Sequence, residues 1–259
     1  MSSCIIAFAM YSKIPMPKID WNEKNMKYAI CYFPLIGVVI GLMEIGCFLL
    51  CDYLKIGAIL RSILLTVIPV TVTGGIHMDG YLDTVDARSS YGDRMKKLEI
   101  LKDPHAGAFA IIKGILYLIL QFGFFSEISK YGIIMLAAGF VFSRALSGLA
   151  LATWKGAKET GLLASFSKGA DHKIVRFSMI AYLIVVTAVL IVYASKIGTP
   201  VSGTTVFAML AVCISVFGYY RYFSYREFGG ITGDLAGYFL QFIELLFLII
   251  IVLIEKVYG

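Results

Sequence analysis

Tyr28–Cys51 reads YAICYFPLIGVVIGLMEIGCFLLC, with Glu44 as its one charged residue. A helix needs about 20 apolar residues to cross roughly 30 Å of hydrocarbon, so this stretch predicts a membrane span. Working outward, comparable runs follow at about Ile56–Ile76, Gly107–Glu127, Tyr131–Thr153, Phe177–Ser195, Gly203–Tyr220 and Leu235–Ile254. The composition of the 259 residues agrees, at 59% hydrophobic and 15% charged; soluble domains are nearer half apolar and a quarter charged. The expected fold is all-α: a polytopic membrane bundle of about seven helices, one domain over residues 1–259. A water-soluble globule and a disordered chain are excluded. The five cysteines form no CxxC pair and read as small packed side chains. Met1–Tyr11 lacks a basic leader and a cleavage site, so it reads as an interfacial helix or the start of the fold.

The net charge of +6 would suggest nucleic acid in a soluble protein. Here topology accounts for it. With seven alternating spans, the N-terminal segment and the segments 77–106, 154–176 and 221–234 share one side. They hold sixteen of the 23 cations, against five on the other. The positive-inside bias then puts the N-terminus and the three long loops in the cytoplasm. The acids follow the cations, because Asp79, Asp83, Asp86, Asp93, Glu99 and Asp103 all lie in the first of these loops.

The densest chemical signal is Gly74–Asp86, GGIHMDGYLDTVD. If it is helical, Asp79, Asp83 and Asp86 stand at i, i+4 and i+7 and share one face. Three carboxylates that close repel unless protonated or held by a cation, and oxygen-only donors suit a hard divalent ion such as Mg²⁺. Metal-assisted displacement at a phosphoanhydride is the chemistry this favours. A solvated acidic loop is the plain alternative, but it does not require three aspartates on one stripe beside glycines. His77 would point away from that stripe on a continuous helix; a substrate or structural hydrogen bond suits it better than a base role. Asp93 reads as the N-cap of a helix over Arg94–Lys102, which stops before Pro104.

Arg144 and Glu244 fall inside spans, where an unpaired charge costs about 3 kcal/mol or more. Each must face the bundle interior, as a mutual ion pair or beside substrate. Gly229–Asp234, GGITGD, is either a flexible turn with a helix cap or a phosphate cradle whose aspartate reaches a metal.

These stretches, in this order, resemble the cobalamin synthase family. Ser12–Pro17 is similar to its N-terminal R-I-P-x-P, Phe33–Gly37 with Gly41 to F-P-L-V-G-x-x-x-G, and Gly74–Asp86 to G-G-x-H-x-D-G-x-x-D-T-x-D. Leu101–Gly107 resembles M-[KR]-D-[SP]-R-x-G, Gly229–Asp234 resembles G-G-x-T-G-D, and Glu244-Leu245 resembles a late E-L. Lys13 and Lys158 stand where the family usually has arginine, His105 replaces another arginine, and Gln241 occupies a position that is often glutamate. Lysine keeps the charge but loses the bidentate fork.

The resemblance implies a Mg²⁺-dependent transferase of the bacterial or archaeal cytoplasmic membrane, with its active site facing the cytoplasm. It would join adenosylcobinamide-GDP to α-ribazole or its 5′-phosphate and release GMP, a late step of cobalamin assembly. By the same resemblance Asp79, Asp83 and Asp86 hold metal beside His77, and one of the three, with Asp86 the first candidate, also accepts the hydroxyl proton. Lys102, Arg144, Lys158 and the turn with Gly230, Thr232 and Gly233 neutralise pyrophosphate and leaving group. Asp103 and Asp234 complete metal or ribose contacts, and Glu244 joins the substrate-binding set. The expected partners are these substrates and the lipid bilayer, without nucleic acid; a homo-oligomer is possible. A CDP-alcohol phosphotransferase is the nearest alternative, but its D-x2-D-G-x2-A-R-x8-G-x3-D-x3-D spacing does not fit. An ion or solute transporter built on Arg144 and Glu244 is the alternative of a different class.

Overall fold

A computed structural model describes residues 2–157, 169–198 and 200–258, apart from the side chains of Glu23, Pro200 and Val201. Its regular elements are helices. The short α1 (Ser2–Tyr11), a single turn α2 (Glu23–Met26) and a 3₁₀ turn (Ala29–Tyr32) lead into α3 (Phe33–Tyr53). Then come α4 (Ala58–Thr73), α5 (Ile76–Ser89), α6 (Arg94–Ile100), α7 (Ala108–Glu127) and α8 (Lys130–Thr153). α9 (His172–Ile197), α10 (Pro200–Phe223), a π-helical turn (Ser224–Phe228) and α11 (Gly233–Tyr258) complete the chain. Among the described residues six helices, α3 and α7 to α11, are long and apolar enough to cross a bilayer, and α4 with α5, bent by 92°, makes a seventh if the pair counts as one span. The chain is a multi-pass membrane protein.

α8 is the hub. Its apolar core is 78% buried, against 17% for α9, and α3, α9 and α11 pack around it. Small residues permit the close approach that helix association in lipid needs. A Cβ on Gly41 of α3 would lie 2.8 Å from that of Ala137, and one on Gly37 would strike the Phe140 carbonyl. On α8 itself, Gly139 faces Phe247 and Gly148 faces Met179. The outward faces of α7 and α9, with Ile111, Ile115, Ile184 and Val185 exposed, are the apolar surface a bilayer covers.

The second span is shorter than the sequence suggests, and most of the segment 77–106 is not loop. α4 stops at Thr73 because Gly74 (φ 64°) and Gly75 (φ 80°) are both left-handed, a conformation glycine adopts without steric cost. Their amides close the end of α4 on the carbonyls of Thr71 and Val70, at 3.3 and 2.9 Å. Helix resumes at once as α5, turned 92° from α4. α6 begins where the N-cap reading places it, with the Asp93 carboxylate accepting from Lys96 N at 2.9 Å. Segment 221–234 also starts as helix, the end of α10 and the π turn. α1 is part of the fold, with Ile6 and Ala7 buried. Lys158 lies outside the described residues.

Candidate active site

α5 carries the three aspartates, and its sequence explains its setting. His77, Gly80, Thr84, Val85 and Ala87 form its buried face, leaving Asp79 exposed and Asp83 and Asp86 partly so. The helix can press against α11 because two glycines meet there. A Cβ on Gly80 would lie 2.9 Å from both Cα and O of Asp234, and one on Gly237 would lie 2.8 Å from the His77 carbonyl. The glycine that follows Asp79 is thus a backbone contact point, and it brings the start of α11 onto the acidic stripe. The rings of Tyr81 and Tyr238 stack across the same crossing, with centroids 5.5 Å apart.

Three other segments converge on α5. The N-terminal strap lies over the α4–α5 bend, with Lys13 N donating to Val72 O at 2.8 Å and the Lys13 side chain filling the space beside Gly74. Asp86 reaches the start of α7, where one carboxylate oxygen accepts from Gly107 N and the other from Ala110 N at 3.0 Å. That is a helix cap delivered from a distant residue, at the positive end of the helix dipole. It also explains Gly107, because a Cβ there would sit 2.6 Å from the Asp86 carboxylate. Finally, the glycine-rich turn is pinned to the segment after α8. Ile231 N donates to Lys155 O at 3.0 Å and Ala157 N to Ile231 O at 2.9 Å. Gly230 (φ 156°) passes so close that a Cβ would lie 2.7 Å from Ala157 N.

Within that turn Thr232 is buried and its Oγ1 accepts from Leu235 N at 3.2 Å, so it caps α11. Gly233 opens the helix, and the Thr232 hydroxyl donates to Asp234 Oδ2 at 3.3 Å. Lys102, Asp103 and His105 are exposed. Asp103 Oδ1 accepts from His105 N at 2.9 Å and stands 2.8 Å from the His105 ring; these two contacts hold the Asp103 carboxyl below the usual carboxylate range.

The intramembrane charges resolve into a pair. Arg144 Nη1 lies 2.7 Å from Glu244 Oε1, with both side chains almost fully buried. Ser143 Oγ donates to the same Glu244 oxygen at 2.6 Å, and Arg144 Nη1 also donates to Phe140 O at 2.9 Å. His77 is buried behind the acidic stripe, its ring 6.4 Å from that of Tyr11 and 5.9 Å from that of Phe33. Neither of its ring nitrogens has a hydrogen-bond partner among the described residues.

Two residues of this arrangement could hold a divalent ion. Asp79 and Asp83 are one turn apart on α5, and one or two carboxylates suffice for Mg²⁺, whose other positions go to water and phosphate. Among the described residues no three His, Cys, Asp or Glu side chains converge to enclose an ion. Asp86 is the member drawn away, because both its oxygens serve α7.

The model of the cobalamin-5-phosphate synthase family matches residues 3–252, nearly the whole chain. The chain belongs to this family. Among cobalamin-5-phosphate synthase relatives, an adenosylcobinamide-GDP ribazoletransferase of Lachnoclostridium phytofermentans is 48% identical over 261 residues, covering 100% of this chain and 97% of the relative. Proteins of the same name from Treponema denticola and Clostridium botulinum strain Alaska E43 are 34% and 32% identical, each covering at least 90% of both chains. No solved structure matches the chain significantly.

Two parts of the site in this family member escape a reading by motif. The role of Asp86 as a cap for α7 is hidden because its partners lie 21 and 24 residues on. The cluster of Arg88, Lys97 and Glu227 lies outside every motif. A basic residue two places beyond the last motif aspartate, and an acid two places before the first glycine of the turn, were the only available signals.

Proposed function

We propose that the crossing of α5 and α11 is the active site of an adenosylcobinamide-GDP ribazoletransferase that works with Mg²⁺ at the cytoplasmic face. The observation that carries this reading is the backbone contact of Gly80 with Asp234, which puts the acidic stripe of α5 beside the glycine-rich turn. The cytoplasmic assignment rests on Lys13, Arg88, Arg94, Lys96, Lys97 and Lys102, which gather at this end of the bundle as cations do inside the cell.

In the reaction a hydroxyl of α-ribazole, or of its 5′-phosphate, attacks the phosphorus joined to the aminopropanol arm. The anhydride bond to guanylate breaks and GMP leaves. Asp79 and Asp83 would hold Mg²⁺, which when bound supplies positive charge to the anhydride oxygens. One carboxylate of the α5 stripe takes the hydroxyl proton. Lys13 at the bend, the exposed Lys102, and Lys158 supply cationic charge for the pyrophosphate and for guanylate. Asp234 faces the metal edge or the ribose. Arg144 and Glu244 hold each other and brace the wall behind the site. His77 belongs to that same wall, packed against Tyr11 and Phe33.

The test is direct. Purified protein in detergent or vesicles is incubated with adenosylcobinamide-GDP, α-ribazole and Mg²⁺, and GMP and the cobalamin product are measured. Formation of both, lost on chelation and restored by Mg²⁺, is expected; failure to form GMP with either α-ribazole or its phosphate would sink the reading.

A further inference from the structure

Glu227 lies in the π-helical turn Ser224–Phe228, outside every motif that carries the family resemblance, yet it joins three parts of the site. Its Oε1 accepts from Arg88 Nη2 at 3.1 Å and its Oε2 accepts from Lys97 Nζ at 2.7 Å. Arg88 is on α5, two residues beyond Asp86, and Lys97 is on α6. The three side chains are 25%, 13% and 21% exposed for Arg88, Lys97 and Glu227, so this network is less screened than a surface ion pair.

The surroundings fix the same geometry. Arg88 Nη1 donates to Tyr238 Oη of α11 at 3.2 Å, and its guanidinium lies 4.8 Å from the Phe223 ring centroid, within cation–π range. Arg94 of α6 donates to Tyr225 O at 3.2 Å, and Tyr225 Oη accepts from Lys155 N at 2.8 Å. π-helical turns are rare and concentrate at functional sites. This one delivers the chain to Gly229 (φ 81°) and so into the turn that ends at Asp234.

We propose that Glu227 is a positioning residue: by gripping Arg88 and Lys97 it fixes the glycine-rich turn and Asp234 against the aspartates of α5. The inference rests on the reading of this crossing as the active site, and it adds a residue that touches neither substrate nor metal. A carboxylate serves because two cations from two helices converge on it, and charge-assisted bonds of this type are short and directional. Misplacement of about 1 Å far from the chemistry can cost of order a hundredfold in rate.

The test uses the full-length protein with Glu227→Gln, and with Lys97→Met as a second variant that removes one arm. For each, kcat, the KM for α-ribazole and the Mg²⁺ concentration giving half-maximal rate are measured. Thermal stability and tryptic cleavage after the exposed Arg226 are followed in parallel. Glu227→Gln is expected to lower kcat about ten- to a hundredfold, to raise the Mg²⁺ requirement, to leave KM within about threefold, and to open the Arg226 site. Lys97→Met should do the same to a smaller degree, and the double variant should be no worse than Glu227→Gln alone, as residues of one network behave. Unchanged kcat and Mg²⁺ dependence overturn the proposal; so does a fall in thermal stability with kinetics intact, which would make the cluster merely structural. If the parent protein makes no GMP, the active-site reading fails separately. Opening of the Arg226 site in Glu227→Gln would still show the grip, and unchanged cleavage would refute it.

Discussion

Asp83 and Asp86 differ by one turn of helix and have different work. Asp86 is held by the amides of Gly107 and Ala110, so its loss frees the start of α7, whereas the proposed metal role falls to Asp83. Asp83→Asn keeps size and removes charge; it is expected to abolish GMP release while the protein stays in the membrane with its thermal transition intact. Wild-type turnover by that variant would refute the metal assignment. The Arg144–Glu244 pair makes an independent prediction. Removing one partner of a buried pair strands the other and costs about 3–5 kcal/mol, while replacing both with apolar residues costs far less. Arg144→Leu should therefore unfold in detergent well below the parent, and Arg144→Leu with Glu244→Leu should recover most of the loss. Equal loss in both variants would show that the pair does not carry the stability.

At the scale of elements, glycines decide how closely α5 approaches α11, the crossing proposed as the active site. The bend between α4 and α5 needs two successive left-handed residues, and α5 then needs a bare backbone at Gly80 to reach α11. Gly74→Ala meets positive φ and the Lys13 side chain, a strain of about 1–3 kcal/mol. Gly80→Ala is the sharper test, because its Cβ would meet backbone atoms of Asp234 at 2.9 Å, which can yield only by parting the helices. It should cut kcat at least tenfold, with smaller effect on KM, in vesicles containing equal amounts of protein. Rate retention would mean that α5 and α11 need not be this close. Much of this was legible: the G-G-x-H-x-D-G pattern marks the segment, and the helical spacing of its aspartates holds. The bend angle was not, since the same glycines also suit a loop, and the partner that makes Gly80 necessary is 154 residues away.

At the scale of the molecule, the excess of cations on one end predicts which end faces the cytoplasm. α3 ends at Tyr53 and the turn after α5 bears Tyr91, both strongly exposed. In a background with the five native cysteines replaced, Tyr53→Cys should be labelled by an impermeant maleimide on intact cells. Tyr91→Cys should be labelled only after permeabilisation. The reverse pattern would invert the topology and move the proposed active site outside. The bundle itself was readable from hydrophobic length, because a membrane imposes a minimum run of apolar residues on every crossing. The second apolar run was the exception: α4 has 16 residues, about 24 Å at 1.5 Å per residue, and only the bend shows how the chain continues.

What the sequence determined alone is therefore what depends on local order along the chain. It set the all-helical membrane bundle and the approximate limits of most apolar helices, the segments in which charge collects, the helical spacing of Asp79, Asp83 and Asp86, the Asp93 cap, and the family. Each follows from periodicity, hydrophobicity or ordered motifs that need no knowledge of distant neighbours. The tertiary structure alone decided which groups face one another: Asp86 with the amides of α7, Arg144 with Glu244, Gly80 with Asp234, and Glu227 with Arg88 and Lys97. Those pairings join residues 21 to 154 positions apart, and they arise because a buried charge or amide must find a partner wherever packing brings one within reach.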